Sequence, residues 1–236
     1  MPYPRIDEPA TQPLNDAGLV RPRPGHRPPL YQTKHTPSLP EIEPIRDEFT
    51  VPVLLSLGDN ISTDDIIPAG RILPFWSDVF ETQKYAFHHL DRSYPERAEA
   101  SPEGHAIVAG ANYGQGSSRE NAALVPRLLG LRLVLARSFA RIHWQNLASF
   151  GVLPLMLGDG DHLPAGARLT VRELRAQVHG GPTVRIEVDG ADGPRSLELA
   201  HELSSRQVEV LFAGGIINHV RARTRRARPR APLRQG

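Results

Sequence analysis

The sequence predicts an α/β domain with a parallel core sheet, because strand-like and helix-like segments alternate through the middle of the chain. The apolar runs are short and bounded by turn residues, as buried strands are. They are separated by segments long enough for the helical crossover that parallel neighbours require. The predicted strands are 51–57, 106–110, 131–136 and 152–157, and the predicted helices are one after the turn at 110–121 and one at 141–150.

A different pattern follows this core. ARLTVREL (167–174) and TVRIEVDG (183–190) alternate apolar and polar residues, which favours antiparallel strands with one buried face. The stretch 204–214 is amphipathic, begins with serine and ends with glycine, and therefore predicts a helix. The predicted organisation is a proline-rich extended leader or linker at 1–49, a folded domain at 50–220 and an arginine-rich disordered tail at 221–236.

Composition excludes several classes of protein. The 236 residues include no cysteine, so the chain has no disulfide and no thiolate ligand for zinc or an iron–sulfur cluster. No apolar run approaches a membrane span, and the polar, proline-broken N-terminus gives no secretory signal, so we expect a cytoplasmic protein. The basic character is local, since seven of the 28 basic residues lie in the acid-free stretch 221–234. We expect His88 and His89 at the surface and His143 packed in a helix, which leaves no convincing metal pair.

The stretch GANYGQGSSREN (110–121) is the first candidate site. Ser117 and Glu120 have the S-x-x-E spacing of a helix capping box, and the glycines fit a turn with positive φ. The same turn joins a predicted strand to a predicted helix, where backbone amides and the helix dipole favour an anion. Arg119 adds a bidentate donor, and Ser117 or Ser118 supplies a hydroxyl. The glycine spacing matches neither the dinucleotide motif nor the phosphate loop, which favours a small carboxylate over a nucleotide.

The loop GDNISTDDIIPAG (58–70) is the second candidate site. Thr63, Asp64 and Asp65 follow a predicted strand, at the edge where α/β sheets bind ligands. The structural alternative is a turn held by these side chains, with its acids in solvent. Calcium is disfavoured, because Ile61 stands where an oxygen ligand is needed and no glutamate closes the loop.

Together these motifs resemble the swivelling domain of the aconitase and isopropylmalate dehydratase family, and most of all that of single-chain bacterial aconitases. The match covers residues 50–219, and the proline-rich segment before it is similar to the linker that precedes this domain in those aconitases. The stretches that carry the resemblance are GDNISTDDIIPAG, GANYGQGSSRENAALVPRLLGLRLVLARSFARIHWQNLASFGVLPL and LSSRQVEVLFAGGIINH.

The resemblance implies a three-layer β/β/α domain with a mainly parallel central sheet, which closes over a larger part that carries a [4Fe–4S] cluster. Family members reversibly dehydrate a hydroxy-tricarboxylic or hydroxy-dicarboxylic acid. The resemblance makes Ser117 the base that removes a proton from carbon. It also makes Ser118 and Arg119 contacts of a substrate carboxylate, with Thr63 and Asp64 lining the site from the neighbouring loop.

Two positions depart from the aconitase pattern. The family's T-D-H is Thr63-Asp64-Asp65 here, a T-D-D that also occurs in isopropylmalate- and homoaconitate-type relatives. Trp76 stands where aconitases have a substrate-binding arginine, and Arg71 is nearby but offset. Three interpretations stay open: Arg71 binds the carboxylate instead, the substrate differs from citrate, or activity is lost.

The resemblance therefore predicts the swivelling domain or small subunit of an aconitate hydratase-like hydro-lyase. It implies a small carboxylic acid substrate and a [4Fe–4S] cluster held by a large-subunit partner or a missing domain, without which the chain is inactive. An isopropylmalate- or homoaconitate-type dehydratase small subunit is the alternative within this class. In another class, the arginine-rich tail would bind nucleic acid, but no aromatic residues are interleaved with its arginines.

Overall fold

The computed structural model describes residues 15–21, 23–26, 29, 33, 38–190 and 193–227, with side chains up to Arg225. The chain divides into two units, residues 1–33 and 34–236. The described residues of the first unit are exposed and include a turn in which the Leu19 amide donates to the Asp16 carbonyl at 2.8 Å. Within the described part of the chain, all helices and strands belong to the second unit.

Seven strands in the described residues close into a barrel. They are β1 (Phe49–Ser56), β2 (His105–Ala109), β3 (Leu131–Ala136), β4 (Leu153–Met156), β5 (Arg168–Val171), β6 (Thr183–Asp189) and β7 (Arg195–Ala200). Around the barrel they follow the order β1, β2, β3, β4, β7, β6, β5. The pairs from β1 to β4 are parallel, whereas β7, β6 and β5 pair antiparallel with one another and with β4 and β1.

The predicted α/β class is confirmed, but the sheet is mixed rather than mainly parallel. Its two halves differ in burial. β2 is buried at every position, as a strand covered on both faces is, while β6 alternates exposed and buried residues along its length. Antiparallel strands tolerate one solvated face, and the exposed residues of β6 provide such a face on this half of the barrel.

Two apolar cores result from this arrangement. One fills the barrel, with Val53, Leu133 and Leu155 among its fully or almost fully buried members. The other lies between the parallel strands and the helices, and includes Ile107 and Val134. Because neighbouring residues of β2 and β3 point into different cores, these strands have largely apolar sequences.

The helices of the described residues are mostly short. They are α1 (Thr63–Ile66), α2 (Ala69–Ile72), α3 (Val79–Gln83), α4 (Tyr94–Glu99), α5 (Asn121–Leu128), α6 (Arg141–Ser149), α7 (Leu174–Gly180), α8 (Ser205–Phe212) and α9 (Ile216–Ala227), with a 3₁₀ turn at Leu73–Phe75. The serine cap predicted for α8 is confirmed, since the Ser204 hydroxyl accepts from the Gln207 amide and Gln207 caps Ser204 in return. None of the described helices is both long and apolar enough to cross a lipid bilayer.

The boundaries of the folded domain differ from those predicted. α9 continues to Ala227, so the first seven residues of the expected disordered tail are helical, and 228–236 lie outside the described residues. Part of the expected leader also belongs to the fold. Ile45 is only 4% exposed within the barrel core, and the Glu43 carbonyl accepts from the buried Arg127. The segment around these residues also accepts a bond from α9, from Asn218 Nδ2 to the Ile42 carbonyl at 2.8 Å.

Candidate active site

The two loops that the sequence singled out are joined to each other by backbone hydrogen bonds. They follow β1 and β2, which are parallel neighbours, so both leave the barrel at the same end. The Thr63 amide donates to the Gln115 carbonyl at 2.8 Å, and the Gly114 amide donates to the Ile61 carbonyl at 2.7 Å. The loops 58–70 and 110–121 therefore form one unit at the end of the parallel strands.

Amide side chains reinforce this unit, and sequence reasoning missed them. Asn112 Nδ2 donates to Asn60 Oδ1 at 3.1 Å and to Gln115 Oε1 at 2.9 Å. Gln115 Nε2 donates to the Asn60 carbonyl at 2.8 Å. Asn60 and Asn112 both have positive φ, which asparagine tolerates better than most residues. Asparagine at two turns was the signal available in the sequence.

A second missed group is the ion pair between Arg137 and Asp59. Asp59 also accepts from the Ala111 amide at 2.8 Å. That backbone bond and the Arg137 guanidinium hold the pKa of the Asp59 carboxyl below its ordinary value. A Cβ at Gly110 would lie 1.9 Å from Asp59 Oδ1, so only glycine fits beside this carboxylate.

The turn needs glycine at two further positions for different reasons. Gly114 has φ +81°, and a Cβ there would lie 2.2 Å from the ring of His143. Gly116 has φ +97° but open space around it, with Thr63 Oγ1 the nearest atom at 3.6 Å. The first glycine therefore allows close packing, and the second allows a left-handed backbone.

The capping interpretation of Ser117 and Glu120 is wrong. α5 begins at Asn121, Glu120 occupies the N-cap position itself, and no side chain caps this helix. Ser117 and Ser118 are exposed, and neither hydroxyl has a hydrogen-bond partner in the described part of the chain. The Ser117 carbonyl accepts from Thr63 Oγ1 at 3.0 Å, which fixes the backbone and leaves the serine hydroxyl available.

Arg119 is held against the neighbouring loop. Its Nη1 donates to Asp64 Oδ1 at 2.6 Å and to the Ile67 carbonyl at 3.3 Å. The Arg119 side chain is 16% exposed and the Asp64 side chain 56%. Hydrogen bonds from Arg119 and from the Ala69 amide lower the pKa of the Asp64 carboxyl, so it stays ionised. Nη2 and Nε of Arg119 have no partner among the described residues, so this edge of the guanidinium remains available for a carboxylate.

Asp65 stabilises the start of α1. The Ser62 hydroxyl accepts from the Asp65 amide, while Asp65 Oδ2 accepts from the Ser62 amide at 2.8 Å and from its hydroxyl at 2.6 Å. This reciprocal pair caps α1. The structural alternative for the loop is thus confirmed for Asp65, whereas Thr63 and Asp64 bond across to the glycine-rich turn.

In the described residues, no side-chain hydrogen bond or ion pair joins Arg71 to the serine turn, and Trp76 is joined to it only through its backbone carbonyl. Arg71 is exposed on α2, close enough to His88 to add to the effect of burial in lowering the pKa of that histidine. Trp76 is 37% exposed, and its carbonyl accepts from Asn121 Nδ2 at 3.1 Å, which ties it to the start of α5. Trp76 thus contacts the N-terminal end of α5, which begins two residues after Arg119, while Arg71 lies near His88.

His89 at the surface and His143 packed in a helix are as predicted, whereas His88 is half-buried. His143 is 2% exposed in α6, and burial lowers its pKa to about 4. Its ring packs edge-on against that of Tyr113, with ring centroids 5.2 Å apart, and neither ring nitrogen has a hydrogen-bond partner among the described residues. His89 is exposed and His88 is half-buried. The described residues contain no group of three or more His, Cys, Asp or Glu side chains arranged to hold a metal ion.

The barrel and its joined loops define a domain of the aconitase C-terminal type, and the model of the aconitase C-terminal domain family matches residues 81–160. The methanogen homoaconitase small subunit of Methanocaldococcus jannaschii is 30% identical over 169 residues, 70% of this chain and 88% of the relative. The 3-isopropylmalate dehydratase small subunit 2 of Archaeoglobus fulgidus is 34% identical over 164 residues, 70% of this chain and 90% of the relative.

A solved structure agrees with these matches. The crystal structure of a 3-isopropylmalate dehydratase from Methanocaldococcus jannaschii superposes with a TM-score of 0.58 at 27% identity, covering 75% of this chain and 95% of that one. The chain belongs to the family of 3-isopropylmalate dehydratase and homoaconitase small subunits within the aconitase group. The family resemblance identified in the sequence is thereby confirmed.

Proposed function

We propose that this chain is the small subunit of a hydro-lyase that adds water to, or removes it from, a hydroxy-dicarboxylic or hydroxy-tricarboxylic acid. The names of its relatives, which are small subunits of dehydratases and homoaconitases, support this reaction class and a large-subunit partner. The observation that carries the proposal is the free hydroxyl of Ser117 in a turn whose Arg119 is already oriented by Asp64.

Ser117 is the proposed base that takes the proton from the substrate carbon. A serine alkoxide is costly in water, so the base needs nearby donors and exclusion of solvent. Ser117 is exposed in the isolated chain, and its hydroxyl is not used as a helix cap. A large subunit that covers this end of the barrel would remove the competing water. Such closure is the physical reason for dividing the active site between two parts.

Arg119 and Ser118 are the proposed ligands of a substrate carboxylate. The bond from Arg119 Nη1 to Asp64 leaves Nη2 and Nε as a fork with the geometry of a carboxylate. Thr63 acts by holding the Ser117 backbone. The turn would therefore bind the acid and present the base with little rearrangement of its own backbone.

The residues of this chain do not fit a [4Fe–4S] cluster. The sequence contains no cysteine, and the described residues hold no alternative metal-ligating group. In this proposal the cluster used by the aconitase group belongs to the large subunit, and no proton transfer assigned to Ser117 depends on a ligand from this chain to the iron.

The partner requirement is tested by mixing the purified chain with the cluster-bearing large subunit of a 3-isopropylmalate dehydratase or homoaconitase. The chain alone and the large subunit alone should give no dehydration of 3-isopropylmalate or homocitrate, and the mixture should turn over at least one of them. The chain alone should also lack the visible absorbance of an iron–sulfur cluster. Turnover by the chain without a partner would refute the divided active site.

A further inference from the structure

A groove of about 490 Å³ lies between α7, α8 and α9, away from the loops that form the candidate active site. Basic side chains outnumber acidic ones in its lining. Four basic side chains, one acid and one aromatic ring dominate it: Arg175, His179, His219, Arg223, Glu209 and Phe212. A volume of this size accommodates a small molecule rather than a polymer.

The aromatic ring fixes the position of two of these bases. The Arg175 guanidinium carbon lies 4.0 Å from the centroid of the Phe212 ring, over its face. The His179 ring stacks on the same phenyl ring, with centroids 6.3 Å apart and planes 16° apart. Phe212 itself is 8% exposed and belongs to the barrel core, so it is a rigid support. The two bases are thereby ordered before any ligand arrives.

The groove has more positive than negative charge. In the described residues, neither Arg175 nor Arg223 has a carboxylate partner within ion-pair distance. Glu209 is the one acid in the lining, and it lies 4.0 Å from His219 Nε2 with its side chain 65% exposed. Two guanidiniums thus face a single exposed carboxylate.

Two further arginines of α9 provide a comparison within the same helix. Arg221 and Arg225 line a separate cavity of about 300 Å³ together with Glu41 and Glu43. That cavity contains acids to match its cations, whereas the groove with Arg223 contains mostly cations. Like charges gathered around one space repel each other, and an anion between them removes that cost.

We propose that the groove between α7, α8 and α9 binds a small multiply charged anion through Arg175 and Arg223. Guanidinium forks bind phosphate and carboxylate oxygens equally by geometry, so both a polyphosphate and a polycarboxylate satisfy this chemistry. None of the groove residues belongs to the loops 58–70 and 110–121. The site is therefore separate from the proposed active site and does not depend on the proposed function.

Calorimetric titration of the full chain with inorganic pyrophosphate, and separately with citrate, tests this proposal. At least one anion should bind with a 1:1 stoichiometry, and the one that does identifies the chemistry as phosphate or carboxylate. Arg223→Gln and Arg175→Gln should each weaken that binding at least about tenfold, since each removes a charge-assisted contact. Circular dichroism checks that each variant keeps its helices.

Two control variants separate the groove from other cations. Arg225→Gln removes the same charge from the same helix, and Arg119→Gln removes the cation of the candidate active site. Both should leave the affinity of the groove within about twofold. Absence of saturable binding by either anion would overturn the proposal. Equal weakening by Arg225→Gln and Arg223→Gln would also overturn it, as would binding that is lost in Arg119→Gln and kept in Arg223→Gln.

Discussion

Arg119 and Asp64 lie 55 residues apart in the sequence, and Arg119 Nη1 donates to Asp64 Oδ1 at 2.6 Å. The pair joins the loop after β1 to the loop after β2 and fixes one edge of the guanidinium. Asp64 is therefore a positioning residue in our account: it orients Arg119 and need not touch the substrate.

Asp64→Asn should raise KM in the assembled enzyme by about tenfold and change kcat much less, because a neutral amide holds the guanidinium less firmly. Asp91→Asn is the matched control, since Asp91 forms an ion pair with Arg97, and neither side chain has a hydrogen bond to the two loops in the described residues. KM and kcat of both variants are measured by steady-state kinetics. An unchanged KM in Asp64→Asn would show that Arg119 is oriented without this pair.

Alanine substitutions at Gly114 and Gly116 distinguish the effect of close packing on stability from the effect of backbone strain. Gly114→Ala adds a Cβ 2.2 Å from the His143 ring at a φ of +81°, so it combines overlap and strain. Gly116→Ala introduces strain alone. We expect a loss in the free energy of unfolding of roughly 1–2 kcal/mol for Gly116→Ala and of at least about 3 kcal/mol for Gly114→Ala. Equal losses in urea denaturation would contradict the packing of His143 under this turn.

Burial of His105 and His143 makes stability depend on pH. Burial lowers the pKa of His105 to about 3, with Arg132 and Arg97 adding to the effect, and lowers the pKa of His143 to about 4. Both histidines take up a proton on unfolding once the pH falls below about 6.5. Their contribution to stability is therefore complete above that pH and is lost as the pH falls towards 4.

His143→Phe should remove part of this dependence. The ring nitrogens of His143 have no partners, so a phenyl ring costs no hydrogen bond, and it cannot be protonated. The loss in unfolding free energy between pH 7 and pH 4 should shrink by about 3 kcal/mol. A wild-type stability that does not change over this range would contradict the burial of both neutral rings.

Trp76 and Arg71 would favour different substrates. An indole offers an apolar wall and one hydrogen-bond donor, which suits an alkyl-substituted malate, whereas arginine would pair with a further carboxylate. We expect the native complex to prefer 3-isopropylmalate to citrate in kcat/KM, and Trp76→Arg to shift the ratio towards citrate. A charge-assisted pair is worth about 1.5–3 kcal/mol, or roughly a tenfold to hundredfold shift.

Arg71→Ala distinguishes the competing interpretation. If Arg71 binds the second carboxylate, this variant abolishes citrate turnover, and Trp76→Arg has little effect. A wild type that prefers citrate and keeps that preference in Arg71→Ala would contradict both interpretations and the alignment of this loop with aconitases.

The sequence predicted the parallel half of the barrel and the pairing of the two loops well, for physical reasons. β2 and β3 are buried at all or nearly all positions, so their sequences are largely apolar and are bounded by turns. Thr63 and Ser117 come close because parallel neighbours place their following loops at one edge of the sheet.

Other features depended on contacts that a local pattern does not show. The S-x-x-E spacing at Ser117 predicts a cap, but the turn runs to Glu120 before α5 begins, and the actual capping pair is Ser62 with Asp65. Closure of the barrel requires β7 to pair with β4 and β6, which the residues of β7 alone do not specify. The folded part of the leader includes Ile45, whose burial depends on the whole barrel core and is therefore not shown by a local pattern.

The central claim, that Ser117 of this chain is the base, is tested most directly by kcat of Ser117→Ala in the complex with the large subunit. We predict a fall of at least about 100-fold in kcat with little change in KM, because a base acts in the transition state. Ser118→Ala is the neighbouring control and should mainly raise KM. A Ser117→Ala complex that keeps a near-normal kcat would contradict the account.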